Sequence, residues 1–174
     1  MNHDSYSDDY INGILRSVRS IAMVGASANE VRPSFFVLKY LKLRGYEMYP
    51  INPGLAGKTI LERPVYASLA NLPGPVDMVD IFRNSEAAAA VVDQVLALPV
   101  LPKVIWMQLT VRNDAAAEKA EAAGIKVVMN RCPKIEYGRL SGEIGWAGVN
   151  SGQISSVRPK LAPGGVQGLA LSKR

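Results

Sequence analysis

The sequence predicts an α/β protein: a doubly wound parallel sheet of about five strands with helices on both faces, in a single domain. Three observations carry this. Short apolar runs alternate with stretches of helical periodicity from Ser20 to Asn130, the pattern of right-handed βαβ units. The first run, Ile21 to Ser27 (IAMVGAS), ends in a glycine and two small residues, with Pro33 opening a helix soon after. A buried strand hands over to a helix in this way where backbone N–H groups and the helix dipole face a ligand, usually a phosphate. Finally, 174 residues, 48% hydrophobic and 20% charged, suffice for one sizeable core.

The elements follow in order. Tyr10, Ile11, Ile14, Leu15 and Val18 recur at helical spacing and predict a short helix over 10–19. Ser20 to Gly25 reads as the first strand. In the helix opened by Pro33, the apolar stripe is Phe36, Val37, Tyr40 and Leu41, closed by Gly45. Tyr46 to Asn52 is the second strand, ended by Pro53-Gly54. Residues 55–64 read as a loop, and Pro64-Val65-Tyr66 as a short edge element. Val76 to Phe82 (VDMVDIF) is a strand made less apolar by Asp77 and Asp80. Asn84 or Ser85 caps the next helix, with Glu86 in its first turn and Ala88, Val91, Val92, Val95 and Leu96 inward. Lys103 to Met107 is a strand, Asn113 or Asp114 caps a helix with Ala116, Ala117 and Ala120 on its inner face, and Ile125 to Met129 is the last strand. Beyond Asn130 the chain reads as irregular, and from Ala162 as a flexible tail.

Composition removes several function classes. One cysteine, Cys132, excludes an internal disulfide and a cysteine-cluster metal site. The one histidine, His3, stands in a polar segment expected to be mobile, so neither a Ser-His-Asp arrangement nor a histidine-rich metal site is expected. No catalytic residue and no metal ligand is assigned. No run approaches the ~20 apolar residues that span a bilayer. Asp4, Asp8 and Asp9 precede any apolar run, the opposite of a secretory leader, and the expectation is a cytoplasmic protein. The net charge is +5. Without a basic block or basic residues interleaved with aromatics, this points to an anionic small molecule rather than nucleic acid.

In such a sheet the ligand lies beyond the carboxyl ends of the strands, where strand order reverses. The residues after each strand are therefore the candidates. Two features discriminate among nucleotides. The G-x-G-x-x-G fingerprint is incomplete, since Ala26 to Glu30 after Gly25 contain no further glycine. The second strand ends in Asn52-Pro53, not in the acid that would bind a ribose diol. Both count against an NAD dehydrogenase. Lys58 nearby leaves an NADP-dependent oxidoreductase as an alternative.

The motifs V-G-A-S (Val24 to Ser27), R-P-S (Arg32 to Ser34) and G-Y-x-x-x-P-I-N-P (Gly45 to Pro53) form the first half of a longer pattern. It continues with V-D-M-V-D-I-F-R-x-S-E (Val76 to Glu86), W-x-Q (Trp106 to Gln108) and A-G-I-K-V-V-M-N-R-C (Ala123 to Cys132). Together they resemble the small stand-alone CoA-binding proteins, which are similar to the CoA-binding Rossmann domain of the succinyl-CoA synthetase alpha subunit. The resemblance covers roughly residues 10 to 145, and implies a Rossmann-like CoA-binding domain over 20–145. An N-terminal segment with a short helix (1–19) precedes it, and an irregular C-terminal segment and tail (146–174) follow.

The resemblance further implies that Gly25, Ala26 and Ser27 face the pyrophosphate of CoA. Asn52, Pro53 and Lys58 would wall the adenosine side. Phe82, Arg83 and Ser85 would border the nucleotide, with Met107 and Gln108 toward the pantetheine arm. Arg32, with Lys58 and Arg83, supplies cations near strand ends that suit the phosphates. Plainer readings stand beside these. Gly25 and Ser27 can be a turn and a cap, Pro50 and Pro53 the end of an edge strand, Arg83 and Lys58 solvated cations, and Trp106 a core aromatic. Cys132 reads as a small buried residue or as a thiol near the CoA sulfur, with Arg131 able to lower its pKa.

The function expected is therefore binding of CoA or acyl-CoA without chemistry. The synthetase subunit works through a phosphohistidine on a further domain, and His3 offers no counterpart. Besides the oxidoreductase, a CoA-sensing regulatory subunit of an acyl-CoA ligase is the alternative. In that reading the C-terminal segment would contact the partner, and a homodimer or an unknown protein partner remains open.

Overall fold

The computed structural model describes residues 1–142; the expected flexible tail lies outside them. The strands are β1 (Ser20–Val24), β2 (Glu47–Ile51), β3 (Thr59–Ile60), β4 (Arg63–Pro64), β5 (Met78–Ile81), β6 (Val104–Met107) and β7 (Lys126–Val128). The helices are α1 (Asp8–Ser17), α2 (Pro33–Leu43), α3 (Ser85–Leu96), α4 (Asp114–Ala122) and α5 (Pro133–Leu140).

Five strands make one sheet in the order β2-β1-β5-β6-β7, and every pairing is parallel. Outside β2, a single parallel bridge joins Ile51 to Tyr66. Counting that bridge as a vestigial strand makes the order 3-2-1-4-5-6, that of dinucleotide-binding sheets. Strand order reverses between β1 and β5, so the two crossovers leaving that point go to opposite sides and open a crevice above it.

Side-chain alternation divides the core into two layers. Ile21, Met23, Met78, Val104, Trp106 and Val128 pack with α1, α2 and α5. Ala22, Val79, Ile81, Ile105, Met107 and Val127 pack with α3 and α4. Strands apolar on both faces are what a parallel sheet covered by helices requires. Each fully buried Leu or Ile here is worth roughly 2 kcal/mol of transfer free energy.

Local chemistry sets the helix ends. Ser7 Oγ accepts from the Tyr10 N–H at 3.2 Å, so α1 starts before Tyr10 and ends at Ser17 rather than Arg19. Asn84 is the cap of α3, accepting from the Ala87 N–H at 2.8 Å, and Asn113 is that of α4, accepting from Ala116 at 3.0 Å. Along α2 the inner positions are Ser34, Phe35, Val37, Leu38 and Leu41. Phe36, expected on that stripe, is 51% exposed; the helical angle that turns Phe35 and Leu38 inward turns Phe36 toward the sheet's carboxyl end.

Three further expectations are corrected. Residues 55–64 are not a plain loop, since β3 and β4 pair as an antiparallel hairpin. Residues 133–140, within the stretch expected to be irregular, form α5, which packs on α1 and α2. His3 is buried, its Nδ1 2.8 Å from the Tyr6 hydroxyl. That hydroxyl accepts from the Met129 N–H at 2.8 Å, and Tyr10 Oη donates to the Val127 carbonyl at 3.4 Å. Among the described residues, no helix is long and apolar enough to cross a membrane.

Candidate functional site

Gly25 ends β1 with φ +88°, and a Cβ there would collide with the Phe82 carbonyl oxygen and lie 3.2 Å from Arg83 Cδ. Glycine is therefore required by the close approach of the β1 and β5 ends, quite apart from any ligand. The amides of Gly25 and Ala26 both donate to the Ile51 carbonyl, at 3.0 and 3.2 Å. Ser27 Oγ accepts from the Asn29 N–H at 3.1 Å, and Asn29 Oδ1 from the Val31 N–H at 3.0 Å. These bonds set the loop that leads into α2, whose backbone cap is Arg32.

Asn52 fixes the neighbouring strand end to this loop. Its Nδ2 donates to the Ala26 carbonyl at 2.8 Å and its Oδ1 accepts from the Gly54 N–H at 2.9 Å. Pro53 opens the short 3-10 turn Pro53–Leu55, and Lys58 is exposed just beyond it.

A cleft of about 870 Å³ opens above the sheet's carboxyl ends. One wall is the start of α2, with Val31, Pro33 and Phe36. A second wall is the start of α5, with Cys132, Lys134 and Ile135. Phe82, Arg83 and Ser85 line it after β5, and Gln108 to Val111 after β6. Of the residues expected from the sequence, Phe82, Arg83, Ser85 and Gln108 line this cleft. Gly25 lies directly behind Arg83. Met107 is fully buried on the α3–α4 side of the sheet, so its side chain is in the core.

Three helices, α2, α3 and α5, begin at this cleft. Their N-termini bring the positive ends of their dipoles to it, although Pro33 and Pro133 carry no N–H and the Ala87 N–H is taken by Asn84. Arg83 and Lys134 add full positive charge. Val31, Phe36 and Leu109, exposed at the lip, supply an apolar surface. The loop after β6 is latched by Ser85 Oγ, which accepts from the Arg112 N–H at 3.0 Å, and by Asn130 Oδ1, which accepts from the Thr110 N–H at 2.8 Å. Thr110 and Asn130 both adopt positive φ, 68° and 53°.

Beneath the cleft floor lies Asp80, fully buried on β5. Register places it between Met23 on β1 and Trp106 on β6. Gln108 Nε2 donates to its two carboxylate oxygens at 2.8 and 3.1 Å. Burial pushes the carboxyl up to about 7, with Gln108 pulling against the shift. Sequence reading took Asp80 only as a mark of a less apolar strand. Its signal is its position, since an acid one residue before the end of β5 sits under the ligand crevice.

Cys132 caps α5 and lines the cleft, yet burial pushes its thiol up to about 11. The expected help from Arg131 does not materialise. Its Nη1 donates to the Asn130 carbonyl at 2.9 Å and its Nε lies 3.8 Å from Glu136. The thiol is held protonated, and the buried-residue reading of Cys132 is the better one.

The CoA binding domain family matches residues 19–138. The chain belongs to that family. Every residue that lines the cleft falls inside the matched span. The chain is similar to an uncharacterized Bacillus subtilis protein, YneT, 32% identical over 127 residues, which are 73% of this chain and 91% of that protein. An ADP-forming acetate–CoA ligase of Archaeoglobus fulgidus is 35% identical over 81 residues, 45% of this chain and 11% of that enzyme. A Thermus thermophilus protein designated cell-free ID.343 superposes with a TM-score of 0.73 at 34% identity, covering 78% of this chain and 99% of its own. Fold and family resemblance expected from the motifs are both confirmed.

Proposed function

We propose that this chain binds coenzyme A, free or as an acyl thioester, and holds it without transforming it. The observation that supports this reading is the convergence of three helix N-termini, Arg83 and Lys134 on one cleft with an apolar lip. CoA combines a pyrophosphate and a further phosphate with an apolar adenine and a long arm. The donors present fit such a ligand: backbone amides and dipoles for the phosphates, cations beside them, and apolar side chains for the uncharged parts.

In this reading the turn at Gly25, Ala26 and Ser27 and the neighbouring Arg32 border the phosphates. Asn52, Pro53 and Lys58 stand on the adenosine side. Gln108, and not the buried Met107 side chain, meets the arm. The protein acts in the cytoplasm, alone, as a homodimer or with a protein partner.

The experiment is a thermal-shift series with CoA, dephospho-CoA, acetyl-CoA, NADP and ATP. A ligand that binds only the folded state adds about 2.7 kcal/mol at a hundredfold excess over its Kd. CoA is expected to raise the midpoint, and dephospho-CoA to do so less. A response to NADP with none to CoA overturns the reading.

A further inference from the structure

We propose that Asp80 is a positioning residue that turns the Gln108 side-chain amide so that its carbonyl oxygen faces the cleft and accepts an amide N–H from the arm of the bound ligand. This rests on the CoA reading of the cleft and deepens it by naming the group that reads the arm.

Gln108 lines the cleft while its Nε2 is spent on both oxygens of Asp80. An ionised carboxylate accepts only, so the amide must turn its NH2 inward. Its Oε1 has no donor among the described residues and is not one of the buried side-chain atoms left without a partner, so it opens to the cleft. The result is a fixed, directional acceptor in a cleft whose charged side chains are the cations Arg83 and Lys134 and whose other lining is largely apolar. Phosphates have no use for such an acceptor. The arm of CoA carries secondary amides, whose N–H groups do.

Asp80 contributes nothing else visible. It is fully buried, cannot reach the ligand, and has Gln108 as its one hydrogen-bonding side chain among the described residues. The groups around it are Met23 and Trp106 by register, and the Cys132 thiol from the start of α5, which feels its charge. No cation lies among the influences on it. Once protonated, Asp80 can donate to Oε1 instead, which frees the amide to turn over and present N–H to the cleft. The acceptor then exists only while Asp80 is ionised.

The test is calorimetric titration of the full chain with two probes: CoA, and an adenosine bisphosphate that lacks the arm. Asp80→Asn and Gln108→Met are each expected to weaken CoA roughly five- to tenfold, the worth of about one hydrogen bond, and to leave the bisphosphate unchanged. The double variant is expected to be no weaker than Gln108→Met alone. For the natural chain, the ratio of CoA affinity to bisphosphate affinity falls as pH drops from 8 to 6, and is flat in both variants. Equal losses for the two probes, no loss of CoA affinity, or an unchanged ratio across pH would each overturn the proposal while leaving CoA binding intact. Failure of the natural chain to bind CoA overturns the parent reading, and this inference with it. Should Asp80→Asn not fold, Gln108→Met and the pH profile of the natural chain decide.

Discussion

Gly25 stands against the carbonyl oxygen of Phe82 with no room for a side chain between them. The ends of β1 and β5 meet there, at the point where strand order reverses, so the crevice exists because these two backbones can touch. Gly25→Ala must leave a φ of +88° or push the Phe82 peptide aside. The left-handed conformation alone costs ~1–2 kcal/mol for an L-residue, and the collision brings the total to about 3 kcal/mol or more. Thermal unfolding is expected at a midpoint roughly 6–12 °C lower.

Asn52 performs a smaller version of the same task. It joins the end of β2 to Ala26 and caps the turn that follows. Asn52→Ala is expected to cost about 1–2 kcal/mol in denaturant unfolding. CoA affinity is expected to fall as well, because the loop before α2 loses its anchor.

Arg83 and Lys134 both line the cleft, one just after β5 and the other at the start of α5. Replacing either with alanine is expected to weaken CoA roughly ten- to hundredfold, the range of a charge-assisted contact. Because Arg83 is exposed, its contribution should shrink as salt is raised from low to physiological strength. Isothermal titration at two salt concentrations checks both statements.

Asp80 gives the stability a pH dependence of definite sign. Burial pushes its carboxyl in the folded state up to about 7, from an ordinary aspartate value of 3.8. Between those limits the folded state therefore binds more protons than the unfolded one. This group's contribution is fully present at acid pH and is lost as pH rises toward 7. Asp80→Asn removes that dependence, so the variant gains on the natural chain by up to about 1.4 kcal/mol per pH unit across the window. Urea unfolding at pH 5 and pH 8 reads the difference directly.

Cys132 should be a poor nucleophile. With its thiol pushed up to about 11, only ~0.1% is thiolate at pH 8. Alkylation by iodoacetamide is expected to run far below the rate of an unstructured cysteine, and to slow further when CoA fills the cleft.

How far the sequence reveals this molecule depends on what each residue has to do. The run Ile21 to Val24 and the turn at Gly25 were legible because apolar continuity and a left-handed glycine are local requirements. The inner face of α3 was legible too, since Ala88, Val91, Val92 and Val95 repeat at helical spacing and are all buried. The helix α5 was not, because PKIEYGRL carries few aliphatic residues, a glycine, and a glutamate that is buried against Arg139 at 2.8 Å and Arg131 at 3.8 Å. Phe36 was misplaced because two adjacent phenylalanines compete for one stripe and only packing decides between them. In the cleft, Arg83, Ser85 and Gln108 could be found as residues after strand ends. Of the α5 wall only Cys132 could be, since Lys134 and Ile135 depend on a helix the pattern hides. The burial of Asp80 follows from neighbours on two other strands, which no local reading contains.

The paired tyrosines at the start of the chain bear on assembly. β7 is the last strand of the sheet, and the groups on its open side would ordinarily invite another strand to add on. Tyr6 takes the Met129 N–H and Tyr10 approaches the Val127 carbonyl, so that side carries phenol rings in place of bare peptide. The Tyr6 contact spans 123 residues, and a loop of that length closes late, after the nearer strands have paired. Until it closes, a folding chain presents a sticky margin to its neighbours. Removal of both hydroxyls (Tyr6→Phe with Tyr10→Phe) would therefore show itself first as aggregation during refolding, at concentrations where the finished protein stays dispersed.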